Sequence, residues 1–526
     1  MPNQKSQKNS AVGGLLMIAL AVLTALSVLF CCYQLFFGAG SVESKLVLYD
    51  GPKSLKDASV LDRESTEETN RDFSLMHCTD TTIKVNGYDC YVYDTNVNNS
   101  HKWAGNYLPK IARTPIAYFD FQGRAAIEVT VPDIEIETAT ISPVTSNIKP
   151  KIDKANHTVT FTISEPGSYT IQFNDKVNRA VHIFANPYDE NRPTKSSDDL
   201  VYVGPGEWDI ENISLESGQS LYISGGAVIH GVVRGNNVED VKVYGPGIID
   251  GSKEAGWKGK TAMVPIDFRD SKNVTVDGPM FLNSNAWVFN SYQTDNLHIN
   301  NIKVISCRPN GDGITLQSCT NSLVENSFVR SWDDSLVLKN YGDSTDNMTF
   351  RNMTLWTDLA QCMEIGYETN KGNQEVATIS NVTFENIYVI NALHKPVISV
   401  HNADDATISN VLFKNITVEN AKMGSGDASK AGGGSEDNNQ LIDFNITENS
   451  NWSTTAERGQ IRDVTIDGVK VLGGDFCPSR IQGYDAEHTV ENVTIRNLEI
   501  LGQKITSFEQ GKFQIDEAST KNLTIE

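Results

Sequence analysis

Short segments in which apolar and polar residues alternate recur through the second half of the chain. Most begin at Asn and follow one another at intervals of 23 to 34 residues. A repeat of this length, with Asn, Asp and Gly between short strands, indicates a stacked β architecture. We predict an all-β chain dominated by a parallel β-helix, because propeller blades would repeat nearer to about 40 residues. The segments are Asn273-Val-Thr-Val, Asn296-Leu-His-Ile, Asn321-Ser-Leu-Val, Asn347-Met-Thr-Phe, Asn381-Val-Thr-Phe, Asn410-Val-Leu-Phe, Asp463-Val-Thr-Ile, Asn492-Val-Thr-Ile and Asn522-Leu-Thr-Ile. The Asn residues suit turns and could stack as an internal ladder.

Alternating strands also precede the repeat, as in Thr82-Ile-Lys-Val and Ser168-Tyr-Thr-Ile-Gln-Phe. We assign residues 71–185 to a small β-sandwich, 186–200 to a hinge and 201–526 to the β-helix. The sandwich is expected to pack against the amino-terminal end of the β-helix. Residues 39–70 are polar and charged and are predicted to be a linker. The stretch 421–440 is predicted to be a surface loop, with a lid at a cleft edge as the alternative.

The amino terminus contains a long uncharged run. It extends from Ala11 to Gly38, and Lys5 and Lys8 precede it. About 20 apolar residues span a bilayer, whereas a secretory signal has a shorter apolar core of about 7 to 15 residues. We therefore predict a transmembrane signal anchor over residues 11–38, residues 1–10 in the cytoplasm, and the β domains outside the cell. A cleaved signal, giving a secreted protein, is the alternative.

Composition narrows the range of partners. The chain of 526 residues has a formal net charge of -22, which is unfavourable for binding nucleic acid. Of eight cysteines, Cys78 and Cys90 flank a short segment and could pair in an oxidising compartment. No Cys-x-x-Cys pair or His cluster indicates zinc, and we expect no metal and no cofactor.

Three aspartates mark the turns of two consecutive repeats. Asp312 lies in Asn310-Gly-Asp-Gly-Ile, and Asp333 and Asp334 lie in Trp332-Asp-Asp-Ser. Aligning the apolar alternation after each turn gives a period of 22 residues, which puts Asp312 in register with Asp334. Coils of a β-solenoid stack at about 4.8 Å, so these two should be neighbours while Asp333 projects in another direction. Crowding disfavours full ionisation, so we expect one of the three to have a raised pKa. Each alone would be an ordinary turn residue, but their coincidence favours catalysis.

These motifs resemble glycoside hydrolase family 28, the polygalacturonase family, and glycoside hydrolase family 49, which contains dextranases and isopullulanases. The likeness runs from about Val201 to Val400 and includes Gly245-Pro-Gly-Ile-Ile-Asp-Gly. It implies a right-handed parallel β-helix of the pectin lyase type, and the sandwich ahead of it is more like the dextranase family. The resemblance implies that Asp333 is the general acid and that Asp312 and Asp334 hold the attacking water, as in an inverting hydrolase.

The sequence also departs from the polygalacturonase pattern. The Gly-His-Gly motif and the Arg-Ile-Lys motif, which binds the substrate carboxylate in that family, are both missing. Hydrolysis of a polysaccharide is therefore better supported than galacturonan as the substrate. The alternatives are an α-glucan hydrolase of the dextranase or isopullulanase kind and a non-catalytic glycan-binding β-helix at the cell surface. A lyase would need a calcium site and a basic catalytic residue, for which no clear pattern exists.

Extending the register predicts further residues at the cleft. Thr315, Val337 and Glu364 should share one outward face, and Lys339 and His401 should occupy equivalent positions. Lys339, Lys395 and His401 are candidates for contact with a sugar or its carboxylate, and Trp287 and Tyr367 could stack against a pyranose ring. The predicted substrate-binding set is Lys339, Glu364, Lys395, His401 and Trp287.

Overall fold

A computed structural model describes residues 44–58, 73–97, 112–176, 180–254, 263–421 and 440–526. The predicted all-β architecture with a parallel β-helix is confirmed. The predicted cytoplasmic residues 1–10, the predicted anchor 11–38 and nearly all of the insertion 421–440 lie outside the described residues. Within the ranges given above, no helix has the length and apolar character needed to cross a membrane.

The amino-terminal part contains two sheets and a short 3-10 helix, Val144–Ser146. Its strands are β1 (Lys45–Leu48), β2 (Met76–His77), β3 (Thr82–Val85), β4 (Tyr88–Cys90), β5 (Tyr93–Val97), β6 (Ala112–Gln122), β7 (Ala125–Thr130), β8 (Ala139–Ser142), β9 (Lys151–Asp153), β10 (Thr158–Ile163), β11 (Gly167–Phe173) and β12 (Ala180–Pro187).

The two sheets share one apolar core. The first has the order β2-β5-β6-β12-β11-β8, with β1 also on β6, and the second has the order β4-β3-β7-β10-β9. Alternate residues of each sheet, such as Phe119 and Ile171 in the first and Ile127 and Phe161 in the second, are buried in the same cluster. This is the packing that the period-2 alternation predicts, because one face of each strand must leave water.

The prediction of a linker over residues 39–70 is wrong for Lys45–Leu48, which form strand β1. Strand β1 pairs antiparallel with β6, with Lys45 opposite Gln122 and Leu48 opposite Phe119. Leu46 and Leu48 pack against the shared core. The polar composition of the surrounding residues concealed this short alternating strand.

The possible disulfide between Cys78 and Cys90 does not form in the structure. Cys78 follows β2 in the first sheet, whereas Cys90 ends β4 in the second. The Sγ of Cys78 lies 3.2 Å from Asp80 Oδ1, and that of Cys90 lies 3.8 Å from the carbonyl oxygen of Tyr118. Burial raises the pKa of the Cys90 thiol to about 12.

The remaining strands follow one continuous path from β13 to β41. They are β13 (Leu200–Val203), β14 (Gly206–Ser214), β15 (Ser220–Ile223), β16 (Ala227–Asn236), β17 (Glu239–Tyr244), β18 (Ile248–Asp250), β19 (Ile266–Arg269), β20 (Lys272–Asp277), β21 (Met280–Leu282), β22 (Phe289–Tyr292), β23 (Asp295–Asn300), β24 (Lys303–Ile305), β25 (Ile314–Gln317), β26 (Thr320–Glu325), β27 (Phe328–Ser331), β28 (Leu336–Lys339), β29 (Thr345–Arg351), β30 (Thr354–Thr357), β31 (Met363–Tyr367), β32 (Thr378–Ala392), β33 (Ile398–Asn402), β34 (Thr407–Asn420), β35 (Ile442–Ile446), β36 (Gln460–Val471), β37 (Ser479–Gln482), β38 (Val490–Ile500), β39 (Gln503–Ile505), β40 (Phe513–Ile515) and β41 (Thr520–Ile525).

Strands of the β-helix pair in parallel with equivalent strands one coil later, as β20 does with β23 and β23 with β26. Inward residues stack into a continuous core. Phe350, Phe384 and Phe413 illustrate this, with ring centroids 4.8 and 5.0 Å apart in successive coils. At the carboxyl end, β39 is antiparallel to β38 and departs from the pattern.

The repeated Asn residues occupy turns in the left-handed conformation, as predicted. Asn296, Asn321 and Asn347 have φ values of 56°, 51° and 54°, which Asn tolerates better than most residues. The Asn296 amide donates to Asn273 Oδ1 at 2.7 Å, and that of Asn347 donates to Asn321 Oδ1 at 2.8 Å. The ladder exists, but most of its members are exposed, so the expectation that it is internal is wrong.

The two-sheet part lies along the side of the β-helix and not at its amino-terminal end, contrary to the prediction. The Asn96 amide donates to Asn283 Oδ1 at 3.1 Å, and the Val144 N–H donates to Glu419 Oε1 at 2.9 Å many coils later. One apolar cluster joins both parts and includes Tyr93, Tyr118, Phe184, Val228, Ile248, Met280, Phe328, Trp356 and Ile390. The two-sheet part packs against the side of the β-helix because several successive coils present outward apolar residues there.

Candidate active site

The register predicted for the aspartates is confirmed. Strand β25 pairs with β28 in parallel, with Ile314 opposite Leu336 and Leu316 opposite Leu338. Just before these strands, the Gly313 N–H donates to the carbonyl oxygen of Asp334 at 2.7 Å. The turn that carries Asp312 therefore stacks directly on the turn that carries Asp334.

Gly313 is required by this close stacking. A Cβ atom at this position would lie 2.4 Å from Val329 Cγ1 and 2.5 Å from the carbonyl oxygen of Ser335. Any larger residue would push the two turns apart and move the aspartates on them.

The three aspartates line one cleft of about 390 Å³. Asp312 is only 4% exposed, whereas Asp333 and Asp334 are partly exposed. Asp334 Oδ1 accepts a hydrogen bond from the Gln361 N–H at 2.9 Å, and Asp333 Oδ1 accepts one from the Asp334 N–H at 3.1 Å. The backbone of two coils thus holds the carboxylates of Asp333 and Asp334.

A buried chain of hydroxyls supports the turn that carries Asp333 and Asp334. The Ser331 hydroxyl donates to the carbonyl oxygen of Asp333 at 2.6 Å. Ser335 Oγ lies 2.7 Å from Ser331 Oγ and 2.8 Å from Thr357 Oγ1. Satisfied buried networks of this kind restrict a turn to one conformation.

The pKa values of Asp312 and Asp334 are raised. Burial, and then repulsion by Asp333, raise the pKa of Asp312 well above its ordinary value. The same two causes raise the pKa of Asp334 to about 7, against the attraction of Lys395. The structure agrees with the expectation that crowding keeps a proton in the group near neutral pH.

Lys339 reaches the cleft, as predicted, but it is already paired. Its Nζ lies 3.1 Å from Glu368 Oε2 and 5.2 Å from the centre of the Trp287 ring. The Tyr341 hydroxyl donates to the other oxygen of Glu368 at 2.9 Å. Burial by itself lowers the pKa of Lys339, but Glu368 and Asp312 outweigh it and raise that pKa above its ordinary value.

Trp287, Lys395 and Tyr367 also line the cleft, in agreement with their predicted positions. Lys395 and Tyr367 are partly exposed. The Tyr367 ring stacks on His401 with centroids 4.4 Å apart and planes 11° apart.

Glu364 and His401 do not reach the cleft surface, which corrects the prediction that they contact the substrate. Both side chains are fully buried. Glu364 faces away from the apolar core, level with Val337 as expected. It is covered because its carboxylate bonds to Ser399 and to His401 Nδ1, the latter at 2.8 Å, and the Tyr367 ring covers His401.

The prediction missed several cleft residues. Gln361 is 1% exposed, and no described residue forms a hydrogen bond with its Nε2. Trp452 is 40% exposed and comes from a loop beyond the insertion. Position in the coil after Asp334 could have identified Gln361, but no repeat pattern points to Trp452. The other lining residues that the prediction missed include Tyr341, Glu368 and Lys371. In the part of the chain that the structure describes, no group of three or more His, Cys, Asp or Glu side chains could hold a metal ion.

Comparison with known proteins agrees with the resemblance to family 28. Residues 199–426, which contain all three aspartates, match the family described as "Glycosyl hydrolases family 28". A "Probable polygalacturonase" of Vitis vinifera is 28% identical over 179 residues, covering 31% of this chain and 35% of the relative. "Exopolygalacturonase clone GBGE184" of Arabidopsis thaliana is 30% identical over 123 residues, covering 21% of this chain and 28% of the relative. The chain thus spans about a third of the length of these relatives.

The solved structure of Dex49A from Penicillium minioluteum has the same overall fold. The two superpose with a TM-score of 0.61 over 92% of this chain and 98% of that one, at 12% sequence identity. At this low sequence identity, the structural similarity supports a shared fold and nothing about function.

Proposed function

We propose that this protein hydrolyses glycosidic bonds in a polysaccharide, in the manner of a polygalacturonase and with inversion at the anomeric carbon. The observation that carries the proposal is the convergence of Asp312, Asp333 and Asp334 at one cleft. A purely adhesive β-helix would have no need for three crowded carboxylates, which repel one another.

In the proposed reaction Asp333 gives its proton to the glycosidic oxygen as the bond from that oxygen to the anomeric carbon breaks. Asp312 and Asp334, on adjacent coils, hold a water molecule at the opposite face of the sugar. One of them takes a proton from that water as its oxygen bonds to the anomeric carbon. The mechanism needs carboxyl groups separated by roughly 6.5 to 9.5 Å so that water fits between acid and base.

The raised pKa values of Asp312 and Asp334 bear on how the acid is kept protonated. Because burial and the charge of Asp333 disfavour ionisation of Asp312 and Asp334, the group as a whole retains a proton near neutral pH. We propose that this proton lies on Asp333 once a leaving oxygen binds beside it.

The cleft offers contacts for several sugar units. Trp287 and Trp452 line the cleft, and their side chains are of the type that stacks against pyranose rings. Gln361 also lines the cleft, and its backbone N–H donates to Asp334 Oδ1. Lys395 and Lys371 provide positive charge for an acidic glycan such as polygalacturonan.

A neutral α-glucan is the second candidate substrate. The pairing of Lys339 with Glu368 favours it, because this buried cation is already neutralised. The missing Arg-Ile-Lys motif supports the same alternative.

We propose that the cleft faces the outside of the cell and that residues 11–38 anchor the chain in the membrane. Cell fractionation with an antibody to the β-helix tests this proposal. Recovery in the membrane fraction supports the anchor, and recovery from the medium of a chain beginning near residue 40 contradicts it.

The experiment that tests the activity is incubation of the purified protein with polygalacturonan, dextran and pullulan, with analysis of the products. Each Asp→Asn change at positions 312, 333 and 334 should lower kcat by about 10²- to 10⁴-fold. Asp346→Asn is the control, because Asp346 lies outside the cleft and bonds to Ser380 and Asn381.

NMR of the first products should show inverted configuration. Asp333→Asn should retain more activity on a substrate with a good leaving group, which needs little protonation. Products of retained configuration, or a nearly fully active Asp333→Asn enzyme on native polysaccharide, would refute the assignment.

A further inference from the structure

A second concavity of about 660 Å³ lies between the two-sheet part and the β-helix. It shares no lining residue with the cleft. One wall is formed by the turns that hold Pro143 to Ser146 and Pro166 to Tyr169. The other is formed by strand ends and turns of four successive coils, with Asp277, Asn300, Asn326 and Asn352. We call this concavity the lateral groove.

Hydrogen bonds across the interface fix the positions of the two walls relative to each other. The Val144 N–H donates to Glu419 Oε1 at 2.9 Å and lies 2.8 Å from the Tyr388 hydroxyl. Elsewhere in the same interface, Lys303 Nζ donates to Asn186 Oδ1 at 2.5 Å. The lateral groove is therefore a fixed feature of the docked fold, and a ligand would not have to open it.

The β-helix wall carries a regular row of amides. Asn300 donates to Asp277 at 2.9 Å, Asn326 to Asn300 at 2.8 Å and Asn352 to Asn326 at 3.1 Å. Each amide group has two N–H donors and an oxygen with two lone pairs. A link of the row uses one donor and one lone pair, so the others remain for a ligand, and they repeat at the coil spacing of about 4.8 Å.

The opposite wall contributes hydroxyls and apolar ring edges. Thr145, Ser146 and Ser168 face the groove, together with Pro143 and Pro166. Among the described residues that line it, Asp277 alone has a formal charge, and no cation is present to hold an acidic group. The chemistry suits a chain that offers many hydroxyl groups and no charge.

We infer that the lateral groove binds an uncharged stretch of a polysaccharide, at a site separate from the cleft. The repeated amides would bond to hydroxyls of successive sugar units along the β-helix, and the prolines would pack against the rings. This inference does not depend on hydrolysis in the cleft.

Hydrogen–deuterium exchange of the full-length Asp333→Asn protein tests the inference, because the substitution prevents cleavage if the cleft is a hydrolase. The probes are dextran, methyl-esterified homogalacturonan and de-esterified homogalacturonan. We expect at least one uncharged chain to slow exchange in residues 143–147 and 164–168, and the de-esterified chain to have a weaker effect there.

Asn326→Ala and Asn321→Ala form a matched pair of variants. Asn321 is in the same coil, is also exposed, and makes ladder bonds of 2.8 Å to Asp295 and from Asn347, but it lies outside the groove. Both changes should therefore cost similar stability. Only Asn326→Ala should weaken binding at the groove, by about threefold to tenfold for the loss of one or two hydrogen bonds.

Ser146→Trp, on the opposite wall, should block the groove without altering the ladder. Equal effects of the Asn326 and Asn321 changes would overturn the inference. So would protection confined to the cleft, or stronger protection of the groove by the de-esterified chain. Absence of hydrolysis by the protein without substitutions, with groove protection retained, would contradict the proposed function alone.

Discussion

Replacement of His401 by Gln should strongly destabilise the β-helix beneath the cleft. His401 Nδ1 lies 2.8 Å from Glu364 Oε1, and Nε2 lies 3.0 Å from Asp443 Oδ2. Carboxylates only accept, so both ring nitrogens must carry protons. Burial lowers the pKa of His401, but Glu364 and Asp443 outweigh it and raise that pKa well above its ordinary value. Arg480 completes the group with bonds of 2.8 and 2.7 Å to Asp443.

The magnitude follows from this geometry. The four formal charges of Glu364, His401, Asp443 and Arg480 cancel, and the first three side chains are fully buried. Gln at position 401 would leave Asp443 with Arg480, but Glu364 would keep only hydrogen bonds with no opposite charge. Removal of one partner from a buried ion pair costs about 3–5 kcal/mol. The free energy of unfolding should fall by this amount.

Urea denaturation monitored by tryptophan fluorescence measures the effect. The folded-state pKa of His401 is raised, so its stabilisation is fully present below the unfolded pKa of about 6.5. It is lost as pH rises through the folded value, and the difference from the His401→Gln variant should therefore shrink at alkaline pH. A loss below about 0.5 kcal/mol at pH 6 would refute the reasoning, since that is the range of ordinary surface substitutions.

Adding Glu364→Gln to His401→Gln separates charge from packing. The double variant should be less destabilised than the sum of the single changes by about 0.5–3 kcal/mol, because it leaves no unpaired carboxylate. The Tyr367 ring loses its charged support in both variants. KM should therefore rise more than kcat falls. If the stability losses of the two single changes simply add in the double variant, the ion pair between Glu364 and His401 is contradicted.

Three other changes test the site and its supports. Lys395→Ala removes a charge that lowers the pKa of Asp334. The acid limb of the kcat/KM profile, along which activity falls with falling pH, should therefore move to higher pH by about one unit. An acid limb at the same pH would contradict the role of Asp334. His182 lies beside Arg330, and burial and then the Arg330 charge lower the pKa of His182 well below its ordinary value. Below pH 6.5 the unfolded state therefore binds a proton at His182 that the folded state does not bind. The free energy of unfolding should fall by about 2 kcal/mol between pH 6.5 and 5. His182→Gln should remove that loss in thermal melts, and an unchanged acid slope would count against it. Gly313→Ala should cost about 1–3 kcal/mol through overpacking and lower kcat, and a variant with normal stability and activity would show that the turns can separate.

Much of the fold could be predicted because a β-helix repeats a local pattern. Strict alternation fixes which side of each strand enters the core, and a one-residue slip would reverse every side chain. The alignment of Ile314 with Leu336 in the sequence is therefore sufficient to place Asp312 level with Asp334. The left-handed Asn turns were equally predictable, because they depend on the conformational tolerance of one residue.

The tertiary structure decided what covers each outward surface. Glu364 faces outward as the alternation predicts, but the ring of Tyr367 and the ion pair with His401 seal that region, and no repeat encodes such a cover. Trp452 joins the cleft from a distant loop, and the two-sheet part docks laterally through contacts such as Val144 with Glu419. Alternation specifies inside and outside within one strand, whereas contacts between distant segments depend on how side chains from separate elements pack together.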